Sequence, residues 1–517
     1  MHNPTSHTLL PTNLKRALWL TALLSLALRL WIGWAFPITG DEAFFYWWGV
    51  YPDWGYYDHP PMVGWVIALM RAVSDTTLSI RLPIIALPLA LGGLMYWAWS
   101  PLNKERAAWA VLLFWLAPIN WLNALITTDT PLIFWSMVSV ACLARAEQRS
   151  LDARAWLFYA LSGLALGCAF LSKYFSVVLG LCYLVYFLAY RRERWTALAV
   201  MVLCALPGPL INFGWNMSHG WPNIMFNVYN RNADAGFAWN KPLLYLGMMA
   251  YLMSPVVLWL WWREREALKD AARQHSILAC LVLVPLAFFA LLSLKKVVGL
   301  HWVLSFYPFG FALLVWGLPK PRLTTAAIGL AVFTGLHALA VVGISFTTPE
   351  QWAGTKLHTN IIRSYKTTEL LDKVQNIAPV QGEAKDVVLM SDAYTPASIY
   401  GYARHAYMPV FGPGKFHARQ DDMLVDYSLY QGKTVRVILS DEPNMADFSP
   451  YFQNVRALQV EQSGVTFHVV EGVGFDFEAY HSGVLGEIFK RYYKIPNWLP
   501  MTGCPFCVRY CGQVRCP

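Results

Sequence analysis

Eleven apolar stretches follow one another through the first 345 residues of this chain, and they constrain its fold more than any other feature. They cover residues 17–36, 80–99, 106–122, 130–144, 156–171, 174–190, 195–213, 242–262, 275–294, 300–317 and 323–345. A helix needs about 20 apolar residues to cross roughly 30 Å of hydrocarbon. Hydrophobic residues make up 56% of the chain and charged residues 14%, against roughly 25% charged residues in soluble domains. The sequence therefore predicts an all-α polytopic membrane protein with about eleven spans.

The basic residues between these stretches indicate how the spans are oriented. If the N-terminus is cytoplasmic, every inner loop carries Lys or Arg, beginning with Lys15 and Arg16 and continuing through residues 191–194. This asymmetry sets topology in membrane proteins, so we attribute the net charge of +9 to orientation and predict no nucleic-acid partner. The first stretch is followed by no small-residue cleavage site and is predicted to be a retained anchor. An odd number of spans in the cytoplasmic (inner) membrane then places the C-terminal region outside.

Beyond residue 345 the sequence changes to ordinary polarity with shorter apolar runs. We predict a membrane domain over residues 1–345 and a small extracytoplasmic α/β domain over residues 346–517. The predicted strands are Asp386–Met390, Val435–Ser440, Ala457–Glu461 and Val465–Val470, and the predicted helices are Thr395–Arg404 and Asp421–Tyr430. A turn at Gln462-Ser463-Gly464 is predicted to join the last two strands.

Four cysteines form a cluster at the end of this second domain: Cys504, Cys507, Cys511 and Cys516. The spacing of the first pair is typical of metal sites. A location outside the cytoplasm favours disulfides instead, because that compartment is oxidising. We rank disulfides ahead of zinc, and the predicted role is structural in both cases.

The segment after the first span begins with two adjacent carboxylates, Asp41 and Glu42, and continues through an aromatic run over residues 44–48. Ionisable groups at a membrane boundary are costly and point to function. The alternative is that both acids only favour the first turn of a helix through its dipole. We favour the functional interpretation clearly for Asp41 and slightly for Glu42. The two long outer segments, residues 37–79 and 214–241, are rich in Trp and Tyr and are predicted to lie in the interface plane with their aromatic rings at headgroup depth.

A second acid, Asp129, opens the fourth apolar stretch from the same predicted side, in the sequence Thr128-Asp129-Thr130-Pro131. That sequence also suits a helix N-terminus capped by Thr128 or Asp129, and the two interpretations are equal from these residues alone. Six basic or imidazole groups are predicted on this side as well: His59, Arg81, Lys173, Lys295, Lys296 and His301. Snorkelling to the membrane surface is the competing explanation for the lysines, strong for Lys295 and Lys296 and weaker for Lys173. For His301, beside Trp302, the alternative is a role in packing.

The common sidedness of these groups carries the functional inference. A carboxylate can act as a general base on an acceptor hydroxyl or hold a divalent cation, for which Asp41, Glu42 and Asp58 are the candidate ligands. Cations can stabilise the charge that grows on a departing phosphate. We therefore predict that these acids and cations meet in one cavity at the outer membrane boundary and transfer a group from a lipid-linked phosphate. A transporter is the alternative, but transporter sites lie near the bilayer midplane, often in repeated halves, and no repeat is evident in this sequence.

Five short motifs resemble a known family: Asp41-Glu42, Trp54-Gly55-Tyr56-Tyr57-Asp58-His59-Pro60-Pro61, Arg81-Leu82-Pro83, Thr128-Asp129-Thr130-Pro131 and Ser172-Lys173-Tyr174. Together they are similar to motifs of the bacterial protein mannosyltransferase-like glycosyltransferases. These are relatives of the dolichyl-phosphate-mannose protein mannosyltransferases and of the lipid A aminoarabinose transferase. The resemblance covers about the first 310 residues and implies the GT-C fold.

The resemblance implies inverting transfer of a hexosyl or pentosyl group from a polyprenyl-phosphate donor to a lipid, glycan or protein acceptor on the outer face. It implies Asp41 as the catalytic acid, in the role of general base or acceptor-positioning group, and Asp129 as the second acid. The residues that we assign to the donor phosphate or substrate are Glu42, Asp58, His59, Arg81, Lys173, Lys295 and His301. His59 departs from the lysine of the aminoarabinose transferases, and Phe44 stands where some relatives carry arginine. A divalent cation is the one cofactor considered, and a lipid-linked glycan ligase or polymerase is an alternative with the same chemistry.

Overall fold

The computed structural model describes residues 10–229, 236–378, 387–414 and 419–515. It is mostly helical, and we number its helices in chain order. The first twelve helices are α1 (Thr12–Ala35), α2 (Gly40–Val50), α3 (Met62–Val73), α4 (Thr77–Trp99), α5 (Lys104–Trp115), α6 (Ile119–Leu122), α7 (Asp129–Glu147), α8 (Ala153–Phe170), α9 (Ser176–Tyr190), α10 (Trp195–Ala205), α11 (Pro207–His219) and α12 (Pro222–Ile224). The others are α13 (Asn240–Arg263), α14 (Arg265–Gln274), α15 (Ser276–Ser293), α16 (Tyr307–Gly317), α17 (Lys320–Ser345), α18 (His358–Tyr365), α19 (Thr367–Gln375), α20 (Tyr394–Arg404), α21 (Asp421–Leu424), α22 (Phe477–Tyr480), α23 (Gly486–Tyr492) and α24 (Pro505–Cys511).

Every predicted apolar stretch coincides with one or two of these helices. Among the described residues, seven helical segments are long and apolar enough to cross a membrane: Thr12–Ala35, Thr77–Trp99, Ala153–Phe170, Arg192–His219, Asn240–Arg263, Ser276–Ser293 and Lys320–Ser345. The other stretches form shorter or less apolar helices, such as α7, α9 and α16. The structure thus confirms a polytopic helical protein, while the count of eleven spans stays a prediction.

Contacts divide the chain into two compact units. Unit 1 contains Met1–Phe36, Val73–Leu210 and Ala235–Ser345. Unit 2 contains Pro37–Ala72, Ile211–Asp234 and Phe346–Pro517. The membrane domain predicted from the sequence ends at the same residue as unit 1. By contacts, however, the two long outer segments within that predicted domain group with the C-terminal residues.

Small residues let helices of unit 1 pack closely. A Cβ on Gly163 of α8 would come within 2.2 Å of the carbonyl oxygen of Met201 in α10. One turn further on, a Cβ on Gly167 would lie 2.7 Å from the carbonyl oxygen of Ala205. Because these positions carry no side chains, the backbones of α8 and α10 approach each other directly, as in other small-residue interfaces of membrane helices. This packing fixes the position of α8. The connection that follows its C-terminal end contains the predicted site residue Lys173.

A buried arginine in α1 is explained by a proline in α4. Pro88 has no backbone N–H, so the carbonyl oxygen of Ile84 loses its helical partner. The Arg29 guanidinium donates to that oxygen, to the carbonyl oxygen of Ile85 at 3.0 Å and to that of Asn120 at 2.9 Å. Backbone dipoles thereby solvate the charge of this arginine, and the contacts tie α1 to α4 and α6.

The C-terminal part of unit 2 contains a four-stranded sheet of β1 (Val387–Ser391), β2 (Thr434–Leu439), β3 (Phe452–Gln462) and β4 (Val465–Phe475). The strand order is β1-β2-β4-β3, with β1 parallel to β2 and the other neighbours antiparallel. Ser463 and Gly464 join β3 to β4, and their φ angles of 49° and 76° are those of a two-residue hairpin turn. The predicted C-terminal sheet and its turn are confirmed, whereas the domain boundary at residue 346 stays a prediction and Asp386 lies outside the described residues.

The predicted helix over Asp421–Tyr430 is wrong in length. Helix α21 ends at Leu424, and a separate 3-10 turn begins at Tyr427. Between them, Asp426 adopts an extended conformation and its carboxylate accepts a hydrogen bond from the Ser428 N–H at 3.0 Å. Local bonds of this kind compete with helical ones, so the chain starts a new turn instead of continuing the helix. The other predicted helix of this region is confirmed as α20.

The aromatic run of α2 packs inside unit 2. All five side chains from Phe44 to Trp48 are buried. Trp48 stacks on Tyr56 with ring centroids 4.4 Å apart, and Tyr46 meets Tyr402 of α20 edge-on at 4.7 Å. The rings of this run therefore pack against protein neighbours within unit 2, and their depth in the membrane stays a prediction.

Candidate functional site

A buried ion pair of unit 1 joins Asp129 to Lys173. Asp129 is the first residue of α7, and Lys173 lies in the short connection between α8 and α9. The Lys173 ammonium donates to both carboxylate oxygens of Asp129, at 2.8 and 2.9 Å, and the two side chains are only 11% and 9% exposed. Thr128, at the N-cap of α7, makes no side-chain cap, and the Asp129 carboxylate is bound by Lys173. A buried ion pair is costly to desolvate, so helix capping alone does not explain this acid.

Aromatic rings extend from this pair to His301. The Lys173 Nζ lies 5.6 Å from the centroid of the Phe175 ring, which is a cation–π distance. Phe175 in turn contacts Trp302, with ring centroids 4.5 Å apart. His301 precedes Trp302 in a short 3-10 helix and is exposed. Unit 1 thus brings Asp129, Lys173 and the His301 segment together from distant parts of the chain.

A cavity of unit 1 begins close to these groups. This small cavity is lined mainly by apolar side chains, among them Ile84, Leu87, Leu91 and Ile133, and its polar members are Arg29, Asn120, Asn123 and Tyr307. Ile133 follows Asp129 by one turn of α7, and Ile84 follows Arg81 by one turn of α4. A turn rises about 5.4 Å, so two predicted site residues stand within a single turn of this cavity's wall.

Two of the predicted cations make other contacts. Arg81 is fully buried, and its guanidinium donates to the carbonyl oxygens of Gly33 at 3.0 Å and Phe36 at 2.8 Å. Those carbonyls lie at the C-terminal end of α1, where a cation satisfies them favourably. Lys295 is exposed, and its carbonyl oxygen accepts a hydrogen bond from the Lys241 ammonium at 2.9 Å. A phosphate-binding role for either residue stays a prediction.

In unit 2, Asp41 and Glu42 lie in the first turn of α2. The Glu42 N–H donates to Thr39 Oγ1 at 3.4 Å, and the Thr39 N–H donates to Glu42 Oε2 at 3.1 Å. This reciprocal arrangement is a capping box, and it gives the fully buried Glu42 a structural role. Asp41 beside it is exposed. The two adjacent acids therefore differ in their surroundings, because Glu42 is buried in the capping box and Asp41 is exposed.

Asp58 and His59 lie in an irregular loop that local hydrogen bonds hold in shape. The Tyr56 hydroxyl donates to the Trp48 carbonyl oxygen at 2.7 Å, and burial raises the pKa of Tyr56, so this hydroxyl remains a donor. The Tyr56 N–H donates to the carbonyl oxygen of His59 at 3.0 Å. Within this turn, His59 Nδ1 lies 3.0 Å from Asp58 Oδ2. The loop thus presents an acid and an imidazole side by side, with the imidazole 18% exposed.

The sequence motifs do not include the residues that shape this loop from outside it. The side-chain amides of Asn223 and Asn227 donate to its backbone carbonyls. Both belong to a segment that the sequence marks only as a long outer connection. An uncharged amide belongs to none of the catalytic motifs, so these motifs could not identify Asn223 and Asn227. The sequence feature that could have identified them is the four-residue spacing of this pair, which Asn212 and Asn216 repeat.

The predicted metal ligands do not come together in the described residues. Those residues contain no group of three or more His, Cys, Asp or Glu side chains that could hold a metal ion. Asp41, Glu42 and Asp58 accordingly form no such group, and Glu42 is engaged in the capping box. A divalent cation at these carboxylates stays a prediction.

The cysteine cluster lies at α24 of unit 2. Cys507 is disulfide-bonded, which confirms the preference for disulfides over zinc at that residue. The prediction of a disulfide is wrong for Cys504, which is a free cysteine, and Cys516 lies outside the described residues. Cys504 is a buried thiol at the N-cap of α24 and accepts a hydrogen bond from the Cys507 N–H at 3.4 Å. Burial raises the pKa of Cys504 to about 11. These features suit a structural element, since a protonated buried thiol is unreactive.

Two sequence comparisons relate the chain to known proteins. Residues 58–213 match the family described as dolichyl-phosphate-mannose-protein mannosyltransferase. The lipid A galacturonosyltransferase RgtD of Rhizobium johnstonii is 27% identical over 312 residues, which are 56% of this chain and 64% of that protein. The match thus spans less than two thirds of the length of this relative.

Two solved structures of ArnT from Cupriavidus metallidurans share the fold. The structure bound to undecaprenyl phosphate has a TM-score of 0.62 at 14% identity, over 87% of this chain and 97% of ArnT. The apo structure has a TM-score of 0.61 at 15% identity, over 89% of this chain and 98% of ArnT. At such identities the likeness shows the fold alone. Together with the family match, it confirms the resemblance to bacterial GT-C glycosyltransferases that the motifs predict.

Proposed function

We propose that this chain, a bacterial membrane protein of the GT-C fold, transfers a sugar from a polyprenyl-phosphate carrier to a lipid, with lipid A as the first acceptor to test. The observation that carries the proposal is the buried Asp129–Lys173 pair, which places a cation in a unit built largely of long apolar helices. A lipid-linked phosphate needs a cation for its phosphate and an apolar surface for its chain, and unit 1 offers both. The names of the similar proteins support the same substrates: one is a lipid A galacturonosyltransferase, and one ArnT structure holds undecaprenyl phosphate.

Lys173 acts at the leaving group. When the bond between the anomeric carbon and the phosphate oxygen breaks, negative charge grows on the polyprenyl phosphate, and a nearby ammonium stabilises that charge. Asp129 binds the ammonium through both carboxylate oxygens and so holds it in place before the reaction begins. A pre-oriented charge needs no rearrangement during the reaction, which is what makes such groups effective.

Asp41 acts at the acceptor, as the exposed acid of the first turn of α2. As general base it takes the proton of the acceptor hydroxyl while that oxygen forms a bond to the anomeric carbon. The bond to the phosphate breaks on the opposite face of the sugar, so the configuration inverts and polyprenyl phosphate departs. The proton stays on Asp41 until solvent removes it. Glu42 is left out of this step because it caps the helix.

The Asp58–His59 pair binds the headgroup of the donor. The Asp58 carboxylate lies 3.0 Å from the imidazole and favours its protonated form, and the exposed part of the ring donates a hydrogen bond to the sugar or its phosphate. We place the whole reaction outside the cytoplasmic membrane, on the side that the basic loops assign to these segments.

The test is mass spectrometry of lipid A and other membrane lipids from cells with and without the gene. We expect a lipid heavier by one sugar residue that disappears on deletion and returns with the wild-type gene or with Asp53→Asn, but not with Asp41→Asn. Asp53 is a matched control, because it is a partly exposed aspartate of the same outer segment.

Each other outcome removes part of the proposal. A lipid profile that deletion leaves unchanged would exclude a lipid acceptor. Full restoration by Asp41→Asn, with equal protein levels in the membrane, would exclude Asp41 as the base. A ladder of several added sugars would favour the alternative of a ligase or polymerase.

A further inference from the structure

Asparagine side chains bind three consecutive peptide carbonyls in the loop that carries the Asp–His pair. The Asn223 amide donates to the carbonyl oxygen of Tyr56 and, at 3.1 Å, to that of Tyr57. The Asn227 amide donates at 3.0 Å to the carbonyl oxygen of Asp58. An irregular loop lacks the backbone partners that a helix or strand provides, and here side-chain amides take their place.

Two further asparagines form hydrogen bonds to Asn223. Asn212 and Asn216 lie one turn apart on α11, and both donate to Asn223 Oδ1, at 3.1 and 3.2 Å. The Asn216 Oδ1 accepts a hydrogen bond from the Asn223 N–H at 3.3 Å. The chain reverses between them at Trp221, whose φ of +57° brings Asn223 back alongside α11. We call Asn212, Asn216, Asn223 and Asn227 the amide ladder.

The ladder is uncharged and largely buried. Asn212, Asn216 and Asn223 are all buried, so their amide groups depend on one another instead of on water. From the other direction, Gln420 Oε1 accepts a hydrogen bond from the Tyr57 N–H at 3.0 Å. A carboxamide supplies a donor and an acceptor without charge, whereas a lysine or arginine here would compete with His59 for the nearby carboxylate.

We infer that Asn223 and Asn227 are positioning residues, which set the orientation of the Asp58–His59 pair. The peptide plane that joins the two residues contains the Asp58 carbonyl, so the bond from Asn227 fixes that plane. The fixed plane keeps His59 Nδ1 3.0 Å from Asp58 Oδ2. The catalytic role of this arrangement rests on the proposed function. The orientation of the pair does not depend on that proposal, and it can be measured without any substrate.

The first experiment footprints histidines with diethyl pyrocarbonate on the full-length protein in nanodiscs, with mass spectrometry of each modified peptide. Releasing the Asp58 carbonyl frees the loop to open locally, so Asn227→Ala should raise the rate at His59 about threefold or more. The rate at His405, an exposed histidine of unit 2, should not change and serves as the internal reference. Asn444→Ala, at an exposed asparagine of the same unit, is the matched control and should leave both rates as in the wild type.

Two results would overturn the inference. One is an unchanged rate at His59 in Asn227→Ala. The other is an equal rise at His59 and His405, which would show general unfolding. Asn227→Ser, which is closer in size and polarity, provides a second reading if the alanine variant folds poorly, and it should lie between the wild type and Asn227→Ala.

The second experiment is a double-mutant cycle on transfer from an undecaprenyl-phosphate-linked sugar. Asn227→Ala alone should lower kcat/KM by about 10- to 100-fold, since small misplacements of binding groups have effects of this size. Added to His59→Gln, it should cause almost no further loss, because both changes act through one imidazole. Independent, multiplying losses would show that Asn227 acts elsewhere. Wild-type protein without transfer activity would refute the proposed function, and the footprint would still decide whether the amide ladder positions His59.

Discussion

Replacing Lys173 tests whether its pair with Asp129 belongs to the reaction or only to the fold. Lys173→Met keeps the length of the side chain but leaves the Asp129 carboxylate, 9% exposed, without its ammonium partner. Breaking a buried ion pair from one side costs about 3–5 kcal/mol, because the remaining charge is uncompensated. The cation–π contact to Phe175 adds up to about 1 kcal/mol. We expect Tm to fall by about 10 °C, as this loss of stability implies for a unit of this size.

A double variant separates the two roles. Asp129→Asn with Lys173→Met removes both charges, and neutral replacement of a buried pair is often without cost. We therefore expect its Tm to return to within about 3 °C of the wild type. Transfer should stay about 100-fold or more below the wild type in both variants, because no cation remains for the departing phosphate. Lys104→Met, at an exposed lysine that opens α5, is the control and should change neither quantity.

The assay uses protein in nanodiscs, heated at one fixed rate and followed by tryptophan fluorescence, since unfolding of such proteins depends on scan rate. Sugar incorporation into the lipid acceptor is measured on the same samples. Recovery of both Tm and transfer in the double variant would refute the reasoning, because the pair would then be purely structural. An unchanged Tm in Lys173→Met would contradict the argument from buried charge.

Three further predictions concern the packing of each unit. Burial raises the pKa of Cys504 to about 11, so its alkylation by iodoacetamide at pH 8 should be about 100-fold slower than that of an ordinary cysteine. The rate should increase as the pH rises towards 11. Mass spectrometry that shows an ordinary alkylation rate at pH 8 would contradict the burial of this thiol. Gly40→Ala should lower Tm, because the added Cβ would lie 2.1 Å from Cγ2 of Thr395. Thr395→Ser removes that methyl group and, added to Gly40→Ala, should restore most of the lost Tm. A double variant as unstable as Gly40→Ala alone would show that the strain lies elsewhere. Gly163→Val should cost about 3 kcal/mol or more by separating α8 from α10, and a wild-type Tm would contradict the close approach of these helices.

The helices of the membrane region were predictable because their signal is local. Length and apolarity of a stretch suffice to predict a helix where no water can bind the backbone, and every predicted stretch is helical in the structure. The hairpin at Ser463 and Gly464 was predictable for a similar reason, since the turn requires residues that accept a positive φ. The length of α21 was not, because a single side-chain bond from Asp426 decides where the next turn begins.

Local sequence could name Asp129 and Lys173 as candidates but could not pair them. Each residue had an alternative explanation in its own segment, a helix cap for one and snorkelling for the other. The structure adds a partner that neither explanation contained, because the ammonium of Lys173 lies on both carboxylate oxygens of Asp129. It likewise divides the two adjacent acids, because Glu42 turns back to cap α2 while Asp41 is exposed.

The sequence by itself determined the membrane character of the chain, its helices and its C-terminal sheet. It also identified the charged residues that are candidates for the site. These features are predictable because hydrophobic length and residue chemistry are properties of short segments. Tertiary structure alone decided that the rings of α2 are buried in protein, that Arg29 satisfies the carbonyl released by Pro88, and that uncharged asparagines shape the loop before His59. These contacts join residues far apart along the chain. Their energies depend on distance and burial in three dimensions, which no local pattern of residues encodes.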